Sequence, residues 1–467
     1  MTSGAMKILR LAAIALSATM LTAVASHAAD VAGEETDADA ICKKKYGPNY
    51  IAFATTSGLS SCIQYSLSAF GYTGKDFAQN DLKLHGDRIW LPSGRQLPLL
   101  TYSKDDVSDD TSGAELGGGV TADVTVIHDT TNGPLVGYLQ VGASTDGNFG
   151  GNGSSLADEQ NIYNNGTVNI YPGVIQQAWV RYQNVQAGVQ QSKFDFLYSG
   201  FSAFPGYAVK RRTLAAAATK NWGDVSLSVA AEDSSQRQME DGVIANYDEE
   251  FYVDPVVQLR ARYYNGIYQA SGALHRVTFD GADYGMDDKQ TWGVAGRVGA
   301  VYEFHQNVDK DSGEFDHVSR FMVTGAAAKG ALGYLGIPNL AIDYTVNGQD
   351  DMELSTGASG VVAFDHMFTA ETRGSITASG FVVDMRTDSN DILDMPSGQS
   401  VYFDQNVKVY GALLQLDVEH QLRPNLMIGA EASYTWTKAK GDYNDYEAND
   451  VVVDYPEIKA YMSWKLQ

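Results

Sequence analysis

The chain has 467 residues, of which 44% are apolar and only 19% charged, with 57 acidic against 33 basic side chains and a formal net charge of −24. That balance argues against nucleic acid as a partner, because phosphate binding needs a basic face. The 47 glycines, 27 tyrosines and 17 phenylalanines suit strands whose aromatic residues gather at membrane interfaces.

At the N-terminus, Lys7 and Arg10 precede an apolar stretch from Leu11 to Val24, followed by Ser26-His27-Ala28. This reads as a secretory signal peptide over residues 1–28, cleaved after Ala28, with Met6 as an alternative start. The stretch is short for a membrane span, and no later segment approaches the ~20 apolar residues of a transmembrane helix. Cleavage removes two basic residues and no acid, leaving a net charge of about −26, compatible with cations in a pore or at a surface. Residues 29–61 are expected to form a periplasmic N-terminal segment, and residues 62–467 a barrel. Cys42 and Cys62 are an even count in an exported chain, which predicts a disulfide; two free thiols are the alternative. The bridge would close a loop of about 20 residues and contribute ~3 kcal/mol in the chain-entropy model. No nearby His or Cys completes a zinc ligand set.

From Cys62 onward, period-two alternation between turn signals predicts sixteen strands. They run over Cys62–Tyr72, Leu116–Ile127, Pro134–Thr145, Gly173–Gln183, Val185–Lys193, Val209–Lys220, Asp224–Asp233 and Pro255–Tyr264, then Ile267–Thr278, Thr291–Phe304, Val318–Lys329, Leu354–Phe368, Thr372–Met385, Phe403–Leu422, Asn425–Lys438 and Val453–Leu466. The last two alternate most strictly. Leu426, Ile428, Ala430, Ala432, Tyr434 and Trp436 form one face, and Met427, Gly429, Glu431, Ser433, Thr435 and Thr437 the other. Short turns such as Asn184, Asn265-Gly266 and Arg423-Pro424 alternate with long connections such as Thr73–Glu115, Asp146–Pro172 and Ser234–Asp254. The expected fold is therefore all-β: a sixteen-stranded antiparallel transmembrane β-barrel with long external loops and short periplasmic turns. Leu340–Val346 also alternates, but a seventeenth spanning strand would put Arg386–Tyr402 on the wrong side, so an external hairpin is expected there.

The same alternation assigns faces. Val257, Leu259, Ala261 and Tyr263 face lipid, which turns Gln258, Arg260, Arg262 and Tyr264 to the lumen. Val225, Leu227, Val229 and Ala231 place Ser226, Ser228 and Glu232 inside. Leu414, Leu416 and Val418 place Gln415, Asp417 and Glu419 inside, and Trp292, Val294 and Val298 place Arg297 and Glu303 there. A charge on the lipid face at mid-bilayer would cost ~2–4 kcal/mol. Many inward charges and few large inward apolar residues point to a wet lumen. The Phe194–Tyr207 segment is rich in Phe, Tyr and Gly, so packing it against the inner wall would hide those rings. Asp195 would then lie near the narrowest point, opposite Arg181, Arg212 and Arg260. The constriction candidates are Asp195, Arg181, Arg212, Glu232, Arg260, Arg262, Arg297, Asp417 and Glu419.

Several stretches, in order along the chain, resemble the trimeric outer-membrane porins of alphaproteobacteria. Cys42-Lys43-Lys44-Lys45-Tyr46-Gly47 through Ser61-Cys62-Ile63 is similar to that family's paired-cysteine N-terminus. Ala178-Trp179-Val180-Arg181 through Gln191-Ser192-Lys193-Phe194-Asp195-Phe196 is similar to its strand-turn-strand approach to a constriction loop. Ala230-Ala231-Glu232-Asp233, Ser271-Gly272-Ala273-Leu274-His275-Arg276-Val277 and Lys329-Gly330-Ala331-Leu332-Gly333-Tyr334 resemble later strands. The resemblance implies a homotrimer in the bacterial outer membrane. The Gly- and Asn-rich loop from Asp146 to Pro172 is long enough to latch over a neighbour.

No catalytic, cofactor or metal motif occurs: the eight histidines show no His-Glu-x-x-His spacing, and there is no Gly-x-Ser-x-Gly elbow or Walker loop. The expected function is a non-enzymatic, water-filled channel passing small hydrophilic solutes and ions by passive diffusion, in contact with lipid and lipopolysaccharide. The alternative is a non-conducting barrel acting as an adhesin or structural surface protein. The acidic loops Lys104–Glu115, Arg386–Asp394 and Asp442–Asp454 favour cations at the outer mouth, against the inward arginines.

Overall fold

The structure, a computed structural model, describes residues 37–47, 49–56, 59–76, 88–91, 100–103, 114–144, 171–196, 207, 211–238, 252–279, 288–306, 317–337, 343–346, 352–386, 392–394, 400–402, 405–443 and 451–466. The predicted signal peptide, the Asp146–Pro172 latch up to residue 170, and most of the acidic loops lie outside them.

Sixteen long strands form the wall. In chain order they are β1 (Leu59–Asp76), β2 (Ala114–Thr130), β3 (Gly133–Ser144), β4 (Tyr171–Tyr182), β5 (Val185–Gln191), β6 (Arg212–Trp222), β7 (Val225–Asp233) and β8 (Val253–Tyr263). They continue as β9 (Gly266–Phe279), β10 (Lys289–Gln306), β11 (His317–Lys329), β12 (Thr356–Met367), β13 (Thr372–Arg386), β14 (Gln405–Arg423), β15 (Leu426–Tyr443) and β16 (Val451–Leu466). Each predicted strand has its counterpart, with ends moved by a few residues. Every strand pairs antiparallel with its sequence neighbours, and β1 pairs with β16 from Leu67↔Leu466 to Asp76↔Glu457. The sheet is thus a closed barrel. In hydrocarbon an unpaired backbone group costs several kcal/mol, so a spanning sheet must close. Among the described residues, Tyr344–Val346 pairs only with Met352–Leu354, the hairpin expected there.

Turn chemistry explains the short connections. Gly223 takes φ +61°, and Gln183 and Tyr264 take φ +53° and +49°, the left-handed conformations that two-residue hairpins demand. Tyr264 therefore belongs to the periplasmic turn and is 83% exposed, not directed into the lumen as expected. With Tyr182, Trp222, Tyr263, Phe304 and Phe368, all exposed near periplasmic strand ends, it forms an aromatic girdle.

The strands bury one face and expose the other. On β7, Val229 is 52% exposed while Ser228 is 3% exposed. Val257, Leu259, Val294, Val298, Leu414, Leu416 and Val418 are likewise exposed to the lipid side.

The N-terminal segment is fastened to the wall beside β1. The helix Asp37–Tyr46 is tied to β1 by the Cys42–Cys62 disulfide, with Cα atoms 5.6 Å apart. Lys45 Nζ lies 2.7 Å from Asp129 Oδ1, and the Tyr46 hydroxyl donates to the same oxygen at 2.5 Å. The short strand Ile51–Thr56 pairs with residues 59–63, occupying the lane beside β1 that β16 leaves empty below Leu67.

The two faces of β7 make opposite demands. Val229→Arg should destabilise the folded barrel by ~2–4 kcal/mol, whereas Ser226→Arg, on the lumen face near the turn, should change the urea midpoint little in detergent micelles.

Candidate functional site

Three external connections turn back into the barrel and meet on its inner wall. The first follows the seven-residue strand β5. Ser192 Oγ and the Lys193 amide both donate to Glu232, each at 2.7 Å. Gln258 Nε2 donates to the Lys193 carbonyl at 2.7 Å, and Gln269 Nε2 to that of Asp195 at 3.0 Å. Phe194, Asp195 and Phe196 are buried. Phe196 packs on Val301, Met322, Val361 and Ala363 of the inner face. Gly299 makes that seat possible, since a Cβ there would stand 2.5 Å from the Phe196 ring. Further along, the Tyr207 ring meets Phe381 edge-on at 4.7 Å, and its amide donates to Ser379. Burial pushes the Tyr207 hydroxyl up to about 12. Both described ends of the loop therefore lie against the wall; Gly200–Pro205 is outside the described residues.

The second connection brings in Arg237, wholly buried, and the third brings in Tyr334. Arg237 Nη2 bonds Asp195 Oδ2 at 3.1 Å, its Nη1 donates to the Gly333 carbonyl at 3.0 Å, and its guanidinium lies 4.5 Å over the Tyr334 ring. The Arg211 amide donates to the same Asp195 oxygen at 2.7 Å. Gly333 allows this approach, since a Cβ there would meet the Arg237 carbonyl at 2.0 Å. Tyr334 donates to Asp254 Oδ2 at 2.7 Å, its phenol held protonated by burial, and Arg297 Nη2 donates to the Tyr334 carbonyl at 2.9 Å.

The floor under these segments is a register-matched row of small inward side chains. Ala217, Ala230, Val256, Ala273, Ala295 and Ala328 pair in sequence across β6–β11, and all are buried. The wall from β6 to β13 is consequently more apolar than expected for a wet lumen: Phe381, Val383, Met385 and Val301 also point inward. Small inward residues leave room for an inserted segment, and burial against it satisfies the apolar ones.

The nine candidates do not share one height. Asp195, Glu232 and Arg297 belong to the buried set. Asp195 is held by Arg237 and the Arg211 amide rather than facing Arg181, Arg212 and Arg260. Arg212 opens β6 and donates to Gln140 at 3.4 Å. Arg181 and Arg262 lie one residue from the periplasmic ends of their strands, and Arg260 three. Lys193 joins this basic group. Its ammonium is held below its ordinary range chiefly by burial, with Arg181 and Arg260 adding and Glu232 opposing.

Opposite stands an acidic wall. Asp417 and Glu419 both accept from the Tyr461 hydroxyl, at 2.7 and 3.0 Å, and Glu419 also takes Arg373 Nε at 2.5 Å. Glu431 pairs in register with both Asp417 and Lys459. Arg320 bridges Glu303 at 3.0 Å and Asp365 at 3.7 Å. In a ring of sixteen, strands eight apart face each other. The Arg181, Lys193, Arg212, Arg260 and Arg262 side (β4–β8) therefore looks across at the Asp365, Asp417, Glu419, Glu431 and Glu457 side (β12–β16).

No protein-family model matches the sequence, and no curated protein matches it. Among solved structures, the outer-membrane channel DcaP of Acinetobacter baumannii is similar over 88% of this chain and 99% of its own, with a TM-score of 0.55 at 13% identity. The anion-selective porin of Comamonas acidovorans matches at a TM-score of 0.46 and 9% identity, over 86% of this chain and 100% of that one. Salmonella typhi OmpF, in complex with daunomycin, matches at 0.45 and 10%, over 87% and 98%. At 13% identity the likeness to DcaP shows the fold alone: a closed antiparallel β-barrel.

Sequence alternation missed Arg237, Tyr334, Asp254, His275 and Asp343 as functional residues. The alanine row was the available signal that something would fill that half of the lumen. Asp195→Ala would leave Arg237 buried without its carboxylate, which should cost ~3–5 kcal/mol, read as a lower urea midpoint and as proteolysis within residues 192–211.

Proposed function

We propose that the chain forms a water-filled outer-membrane channel for passive diffusion of small hydrophilic solutes and ions. The carrying observation is the closed barrel whose basic and acidic inner walls face each other across the remaining lumen. Charges held on rigid strands act on a passing solute without a cofactor, by screened electrostatics and exclusion of size. We also propose export by the N-terminal signal peptide, assembly as a homotrimer, and contact of the outer rim with lipopolysaccharide. These rest on sequence features and family resemblance.

A second reading, a non-conducting surface barrel, draws support from the inward segments that bury the wall from β6 to β13. Planar-bilayer recording separates the two: discrete ohmic steps are expected, and their absence from correctly folded protein favours the second reading.

Mild cation preference is expected from the acidic wall and the negative net charge. Removing Arg260 and Arg262 together should strengthen it, and Asp417→Asn with Glu419→Gln should weaken or reverse it. Reversal potentials in a potassium chloride gradient give the sign; no shift in either variant would place selectivity elsewhere.

A further inference from the structure

We propose that Arg181, Lys193 and Arg262, with Arg260 beside them, form a binding site for small anions of two or more charges on the lumen side of β4–β8. Its effect on solute passage rests on the channel reading above; binding itself does not.

Three elements bring these cations together. Arg181 lies one residue from the periplasmic end of β4. Its guanidinium stands 5.9 Å over the Trp179 ring, which stacks in turn on Tyr138 at 5.3 Å. Arg260 and Arg262 are two residues apart on β8, so they share its inward face, ~7 Å apart along the strand. Lys193 arrives from the connection after β5. Its amide donates to Glu232 and its carbonyl accepts from Gln258 Nε2, each at 2.7 Å. Gln258 is the inward residue before Arg260 on β8, so the second bond brings Lys193 to the arginine pair. The nearness is felt electrostatically: after burial, Arg181 and Arg260 are what hold the Lys193 ammonium below its ordinary range.

Pairing distinguishes this group from the opposite wall. There the cations are engaged: Arg373 bonds Glu419 at 2.5 Å, Lys459 bonds Glu457 at 2.5 Å, and Arg320 bridges Glu303 and Asp365. Among the described residues, Arg181, Lys193 and Arg262 make no ion pair. Glu232, the acid within electrostatic reach of Lys193, is turned to Ser192 Oγ and the Lys193 amide. Between β4 and β8 the inner wall carries short hydroxyl side chains: Ser226, and Thr219 with Ser228, whose oxygens lie 2.9 Å apart. They leave room for a solute and offer it donors.

The charge of the ligand follows from the setting. A single exposed ion pair in water is worth little, so a hydrated chloride gains little from any one of these cations. An oxyanion with two or more charges engages several at once, and each guanidinium presents a fork of donors to two of its oxygens. The ligand class is therefore phosphate-like or multiply carboxylated anions. The cation preference expected above concerns monovalent ions; attraction to the cluster grows with the charge of the anion.

Phosphorus NMR of inorganic phosphate with the full-length protein in detergent tests binding, with chloride as the background salt. Wild type should broaden the phosphate line saturably, and sulfate should reverse it. Arg181→Gln alone should weaken binding about two- to fivefold. Arg181→Gln, Lys193→Gln and Arg262→Gln together should weaken it more than about tenfold; Lys193→Gln keeps both backbone bonds of the loop. Lys329→Gln, on the lipid side of β11 in register with Val294, should change nothing. Heat-modifiable gel mobility confirms that each variant is folded. No broadening by folded wild type, or equal broadening by the folded triple variant, overturns the site. Bilayer recording in potassium chloride separates it from the channel reading: phosphate should lower the wild-type current and leave that of the triple variant unchanged. Phosphate binding without any current would uphold the site and remove the channel reading. Ohmic current without phosphate binding would do the reverse.

Discussion

Closure of the backbone hydrogen-bond ring is the constraint on which the rest of this structure depends. A lipid bilayer offers no partner to an open strand edge, so the β1–β16 pairing satisfies an edge that would otherwise face hydrocarbon. Closure fixes two faces for every strand, and period-two alternation then distributes apolar residues outward and polar ones inward. The disulfide-tied N-terminal helix and the strand Ile51–Thr56 complete the same task where β16 stops short.

A closed ring of sixteen strands encloses more space than its own side chains fill. This chain fills one half with its connections. The short strand β5 releases its loop low in the barrel, and Gly299 and the alanine row give Phe194, Phe196 and Tyr334 somewhere to sit. Once these rings exclude water, the polar groups that travel with them must be paired internally. Asp195 with Arg237, and Tyr334 with Asp254 and His275, meet that requirement. The remaining inward charges are mainly basic on β4–β8 and acidic on β12–β16, where Arg373 and Lys459 pair with some of the acids.

The wall was legible in the sequence because its physics is local. One residue in two faces lipid, and a hairpin needs left-handed residues at its tip, so Val225–Asp233 or Leu426–Trp436 declare themselves without tertiary information. Tyr264 was misplaced because alternation alone does not show where a strand turns. Contacts between loops were not legible. Arg237 sits in a polar stretch like many solvated ones, and only the fold brings it to Asp195, 42 positions earlier in the chain. The inward direction of the Phe194–Tyr207 ends was legible, because aromatic rings in a loop need cover; their partners were not, because cover can come from any strand. Which of the nine charged candidates share a height was not legible, because heights depend on strand lengths and stagger.

The most direct test of closure is a cross-link across the last pairing. Ser68→Cys and Lys465→Cys occupy register partners on β1 and β16 and would be introduced together with Cys42→Ala and Cys62→Ala. Oxidation of the folded protein should give an intramolecular disulfide, seen as a monomer of altered mobility that reverts on reduction. Failure to cross-link, or cross-linking only between chains, would contradict a closed single-chain barrel.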